Sequence, residues 1–109
     1  MKFEVFKSES NDKFFFRLKA GNGQIILSSQ GYAQKSGCMN GVESVKKNAS
    51  DDANYEKKEA SNGKVHFNLL AQNKQVIGKS QMYAAASGLE NGIESVKKNA
   101  PDASVEDLT

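Results

Sequence analysis

Along Phe14-Phe15-Phe16-Arg17-Leu18-Lys19-Ala20, the apolar residues Phe14, Phe16, Leu18 and Ala20 fall on one side of an extended chain. Val65, Phe67, Leu69 and Ala71 repeat that alternation later in the sequence. A period of two rich in aromatic and β-branched residues predicts half-buried strands. Asn62-Gly63 tolerates the positive φ of a tight hairpin, so Tyr55–Ala60 is expected to fold back on Lys64–Ala71. Gly21-Asn22-Gly23 and Gln72-Asn73-Lys74 predict the next turns, leading into strands over Gln24–Ser29 and Gln75–Ser80. The period then changes. Cys38, Val42, Val45 and Ala49 recur at spacings of four, three and four, as do Leu89, Ile93, Val96 and Ala100. Each set is one apolar stripe of a helix. Lys46-Lys47 and Lys97-Lys98 suit the negative end of the helix dipole. Asn48 and Asn99 are expected at left-handed stop positions, with Pro101 preventing continuation.

The two stretches are copies. A shift of 51 superposes Gly41-Val42-Glu43-Ser44-Val45-Lys46-Lys47-Asn48-Ala49 on Gly92-Ile93-Glu94-Ser95-Val96-Lys97-Lys98-Asn99-Ala100, with one Val/Ile difference. Before Lys13 the register slips by one, so that Phe3-Glu4 lies on Tyr55-Glu56, as hairpin turns of unequal length would require. Two copies more naturally close into a pseudo-dimer than extend into a solenoid. One domain over 1–109 is therefore expected, with repeats 1–53 and 54–109. Its class is α+β, a tandem pseudo-two-fold repeat of βββα(β) units. They form one antiparallel sheet with two helices packed on it and the terminal strands exchanged. Ser104-Val105-Glu106-Asp107 aligns with the start of the Tyr55 strand and predicts a short closing strand.

The blocks Tyr55-Glu56-Lys57-Lys58, Ser61-Asn62-Gly63-Lys64, Phe67-Asn68-Leu69, Ser80-Gln81-Met82-Tyr83 and Gly92-Ile93-Glu94-Ser95-Val96-Lys97 closely resemble the YegP-like family of small bacterial proteins. The resemblance covers nearly the whole chain. It implies two βββαβ units in a single sheet with exchanged terminal strands, and dimers among relatives with one unit. It implies no biochemical activity, because none is established for the family.

Composition narrows the function classes. The formal charge is only +2, with 15 basic and 13 acidic residues interspersed, which is no footprint of a dedicated nucleic-acid binder. The opening Met1-Lys2-Phe3-Glu4-Val5 has no apolar stretch long enough for a signal peptide, and no run approaches a membrane span. A cytoplasmic protein is the expectation.

Candidate chemistry is sparse. His66 is the only histidine; flanked by inward Val65 and Phe67, it belongs on the outer face, and its repeat partner Phe15 could not share a catalytic role. Cys38 pairs with Leu89 across the repeat, which predicts a buried thiol packed as a small hydrophobe. Gly21-Asn22-Gly23 joins two strands, whereas a phosphate loop leads into a helix. Gly37, Gly41, Gly88 and Gly92 predict close packing against each helix. Asp51-Asp52 and Asp102 fit turn formation. No catalytic set, metal site or cofactor is indicated, so an enzyme is not expected. What remains is a candidate interaction surface on the outer sheet face: Phe15, Arg17 and Lys19 from the first copy, His66, Asn68 and Leu70 from the second. The favoured reading is a binding protein with a protein partner or weak self-association. The alternatives are weak single-stranded nucleic-acid binding through the basic-aromatic face and, less favoured, a small-molecule enzyme.

Overall fold

The computed structural model describes residues 1–109. Its strands are β1 Lys2–Lys7, β2 Phe14–Lys19, β3 Ile25–Ser28, β4 Tyr55–Glu59, β5 Val65–Leu70, β6 Val76–Ser80 and β7 Ser104–Asp107, and its helices are α1 Lys35–Asn48 and α2 Ala86–Asn99. One seven-stranded sheet runs in the order β4-β5-β6-β3-β2-β1-β7. Each copy contributes a meander, and the two meanders meet where Leu27 pairs with Ser80 and Ser28 with Lys79. The pseudo-two-fold axis passes there.

The antiparallel expectation needs one amendment, because β7 runs parallel to β1, with Phe3 opposite Val105 and Glu4 opposite Glu106. The sheet is therefore mixed. A strand that follows α2 and returns to the edge of the first copy must arrive in that direction, and the strand exchange is one-sided.

Four hairpins share one turn chemistry. Asp12, Gly23, Gly63 and Lys74 adopt positive φ, each preceded by an asparagine whose side chain accepts a hydrogen bond from the amide two residues on. The asparagine thus closes the turn locally. Residues 8–13 separate β1 from β2, but only 60–64 separate β4 from β5. That one-residue difference accounts for the slip in the repeat.

Both helices pack on the same face, and one core holds their stripes. Phe3, Val5, Phe16, Leu18, Leu27, Phe67 and Leu69 lie beneath Cys38, Val42, Val45, Leu89, Ile93 and Val96. Cys38 is fully buried, and burial raises its thiol pKa to about 11, as expected for a packing cysteine. The helix glycines admit the repeated tyrosines: a Cβ on Gly41 would lie 2.6 Å from the Tyr32 hydroxyl oxygen, and one on Gly92 would collide with that of Tyr83. Each tyrosine stacks on its strand phenylalanine, Phe16–Tyr32 at 6.3 Å and Phe67–Tyr83 at 6.5 Å.

The helix ends correct one expectation. Neither Asn48 nor Asn99 is left-handed, and α1 passes through a right-handed Ala49 into a short turn over Asp52–Asn54. Side chains satisfy the loose carbonyls instead: Asn54 Nδ2 donates to Asn48 O at 3.0 Å, and the Tyr55 hydroxyl donates to Ala49 O at 2.6 Å. No helix is long and apolar enough to cross a membrane.

Candidate functional site

With both helices on one side, alternation along the strands leaves the other side of the sheet without a covering layer. All six residues singled out from sequence are there, each half-buried by its strand neighbours: Phe15, Arg17 and Lys19 on β2, and His66, Asn68 and Leu70 on β5. They form two groups, because β3 and β6 lie between β2 and β5. Three strand spacings separate them by roughly 14 Å. Ser28 and Lys79, directly opposite each other at the pseudo-axis, bridge the gap.

The β2 group is built jointly with β1. Phe6 stands opposite Phe15 and Glu4 opposite Arg17. The two rings stack at 5.8 Å with an interplanar angle of 17°, and the Arg17 guanidinium lies 4.4 Å from the Phe6 ring centroid. Arg17 Nε donates to Glu4 at 2.7 Å, while Lys2 and Lys19 approach the same carboxylate at 3.5 and 3.7 Å. Glu4 is only 5% exposed, so three cations screen it from solvent. The Arg17 hydrogen bond, helped by the lysine charges, outweighs burial and holds the Glu4 carboxyl below its ordinary pKa.

The sign of that shift sets a pH dependence. Stabilisation by the folded-state carboxylate is fully present above the unfolded value of about 4.3 and is lost as pH falls through the lower folded value. Urea titrations of the wild type and Glu4→Gln should therefore differ most at neutral pH and converge toward pH 3. A gap that stays constant with pH would mean that the Glu4 charge contributes nothing.

The β5 group is less aromatic. His66 lies opposite Lys58 of β4, and Asn68 lies between Glu56 and Lys79. Asn68 Nδ2 donates to Glu56 at 3.2 Å. Burial first, then the charges of Lys79 and Lys58, lower the His66 pKa, and its Nδ1 is buried without a hydrogen-bond partner. Leu70 is opposite Val76, which is exposed. One row across the outer face thus reads Glu56, Asn68, Lys79, Ser28, Arg17, Glu4, Glu106, with carboxylates at both ends and cations toward the middle. Nowhere do three or more His, Cys, Asp or Glu side chains gather as a metal site.

The six residues singled out from sequence leave Glu4, Phe6 and Lys79 out of this surface. The signal for Glu4 and Phe6 was present, since pairing Phe14 with Lys7 sets Glu4 on Arg17 and Phe6 on Phe15. Lys79 reaches the centre only through pairing between the copies, for which no local pattern exists.

The family described as "Domain of unknown function (DUF1508)" matches residues 9–56 and again 60–107. A UPF0339 protein from the ptx operon 5' region of Stutzerimonas stutzeri is 58% identical, the match covering 94% of this chain and 92% of the relative. The UPF0339 protein YegP of Escherichia coli K12 is 51% identical over 98% of this chain and 96% of its own. The solution NMR structure of a UPF0339 protein from Shewanella oneidensis has the same fold, with a TM-score of 0.93 at 51% identity, covering 99% of this chain and 91% of that one. The NMR structure of YegP from E. coli, a protein described as of unknown function, gives a TM-score of 0.92 over 99% and 92% of the two chains at the same identity.

Proposed function

The chain belongs to the DUF1508 family of uncharacterised UPF0339 proteins, and we propose that it is a non-catalytic binding protein whose outer sheet face takes a protein partner. The observation that carries this reading is the uncovered Phe6–Phe15 stack with Arg17 laid over it. Rigid aromatic rings and a pre-positioned guanidinium are what interface hot spots are made of. Holding Arg17 against Glu4 in the free protein lowers the entropy lost on docking.

Charge balance favours protein over nucleic acid. Arg17, Lys2 and Lys58 each have a carboxylate within 4 Å on this face, which leaves few counterions to release on binding a phosphate backbone. A non-catalytic role is supported by His66, whose pKa is lowered by burial and then by the charges of Lys79 and Lys58. Without a carboxylate to orient it, the imidazole lacks the partner that general bases employ.

The test compares Phe15→Ser with wild type. Phe15 is off the core, so the fold should survive with amide spectra changed only around β1 and β2. Tagged wild type should retain from nuclease-treated lysate, at moderate salt, a protein that the variant loses. Capture that disappears with nuclease would replace this reading with single-stranded nucleic-acid binding by stacking. Unfolding of Phe15→Ser would show the face to be structural.

A further inference from the structure

The pseudo-two-fold symmetry is broken at the sheet edges. Beside β1 lies β7, parallel, with Val105 packed against the core and Lys2–Glu106 and Lys35–Asp107 ion pairs securing it. β4 is the repeat counterpart of β1, and its outer side is the edge of the sheet. Closed symmetry would require eight strands, and the chain supplies seven. Phe3 is fully buried beneath this arrangement, whereas its counterpart Tyr55 is only half-buried. Beside β4 a notch of about 280 Å³ is lined by Tyr55, Lys57, Ile93, Asp52, Glu90 and Glu94.

We propose that this edge takes an extended basic segment of another protein as an eighth strand, parallel to β4, with a branched apolar residue in the notch. Strand addition supplies main-chain hydrogen bonds, and side-chain pockets supply selectivity. The geometry repeats what β7 does on β1, but the charges are reversed. The counterparts of Lys2 and Lys35 are Asn54 and Ala86, so an acidic strand like β7 finds no cation at those positions. Lys57 pairs with Glu90, and Lys97 with Asp52 and Glu94. Three carboxylates thus face two amines, a surplus that suits lysine or arginine. A second copy offers no basic strand, because its β7 is acidic and is already paired with its own β1. The exposed Lys57 and Lys58 also deter indiscriminate edge pairing. This site is separate from the outer face.

The probe is a synthetic peptide, Ala-Ser-Val-Lys-Lys-Leu, which is the 103–108 sequence with its two acidic residues replaced by lysine. Added to the isotope-labelled full chain, it should shift amide resonances of 55–59 and 90–94 and slow hydrogen exchange along β4. The unaltered Ala-Ser-Val-Glu-Asp-Leu should bind at least tenfold more weakly. Substituting Glu90→Lys and Glu94→Lys, whose side chains are 51% and 68% exposed, should abolish the response and leave the rest of the spectrum in place. No shift along β4 at millimolar peptide, equal responses to both peptides, or shifts confined to β1, β7 or the outer face would each overturn the proposal. Shifts at Phe15 and Arg17 alone would instead bear on the outer-face reading, so the two are separable.

Discussion

Replacing Leu27 with alanine is expected to lower the unfolding free energy by about 2–5 kcal/mol, the usual range for emptying a buried leucine site. Leu27 is fully buried on β3, beside the pseudo-two-fold axis. Its repeat counterpart is Gly78, and a Cβ built there would lie 2.7 Å from both Cγ and Cδ2 of Leu27. The axis therefore carries one large residue and one absent side chain, because two large side chains would collide. In a chain of this size each kcal/mol moves Tm by about 4–8 °C, so Leu27→Ala should melt roughly 10 °C lower or more. Gly78→Leu alone should be as damaging, by overpacking. The exchange Leu27→Gly with Gly78→Leu puts the same volume on the other side of the axis and should recover more than half of the loss. Urea midpoints of the three variants decide it. If the exchange is no better than the worse single variant, the repeats are not interchangeable around the axis.

The second large effect is on the helix glycines. An alanine normally strengthens a helix by about 1 kcal/mol relative to glycine, yet Gly41→Ala and Gly92→Ala should each cost about 1–3 kcal/mol through overpacking. At Gly92 the close obstacle is Tyr83, whose hydroxyl oxygen the new Cβ would overlap and whose Cζ would lie 2.8 Å away. That hydroxyl is buried without a hydrogen-bond partner, so Tyr83→Phe should be neutral or stabilising and should rescue much of Gly92→Ala. Gly41 is enclosed on two sides, with Tyr32 Oη at 2.6 Å and the core ring of Phe16 at 2.8 Å. Tyr32→Phe should therefore fail to rescue Gly41→Ala. Thermal melts of the two double variants carry the test. Equal rescue in both repeats would mean that Phe16 yields, and the core there is softer than its burial implies.

Much of this fold was legible in the chain. The alternation of Phe14, Phe16, Leu18 and Val65, Phe67, Leu69, and the four-three-four spacing from Cys38 and Leu89, each reflect one element's own geometry, and the buried set follows them. The asparagine turns are local too, since a side chain bonding two residues along needs no distant partner. Asn48 was misread for the opposite reason: a left-handed stop is a local preference, and here Asn54 and Tyr55 from the next segment satisfy the helix end instead.

The outer surface divides along the same line. Its six residues fall on one face by counting in twos, so alternation along each strand is enough to group those side chains and the repeat is enough to relate them. The assembled fold is what lays Arg17 over Phe6 and pairs it with Glu4, stands Lys79 between the two groups, runs β7 parallel to β1 and leaves β4 as an edge. Those facts depend on contacts between segments far apart in the chain. Their geometry is set by how two nearly identical halves meet at an axis that one leucine and one glycine keep unequal.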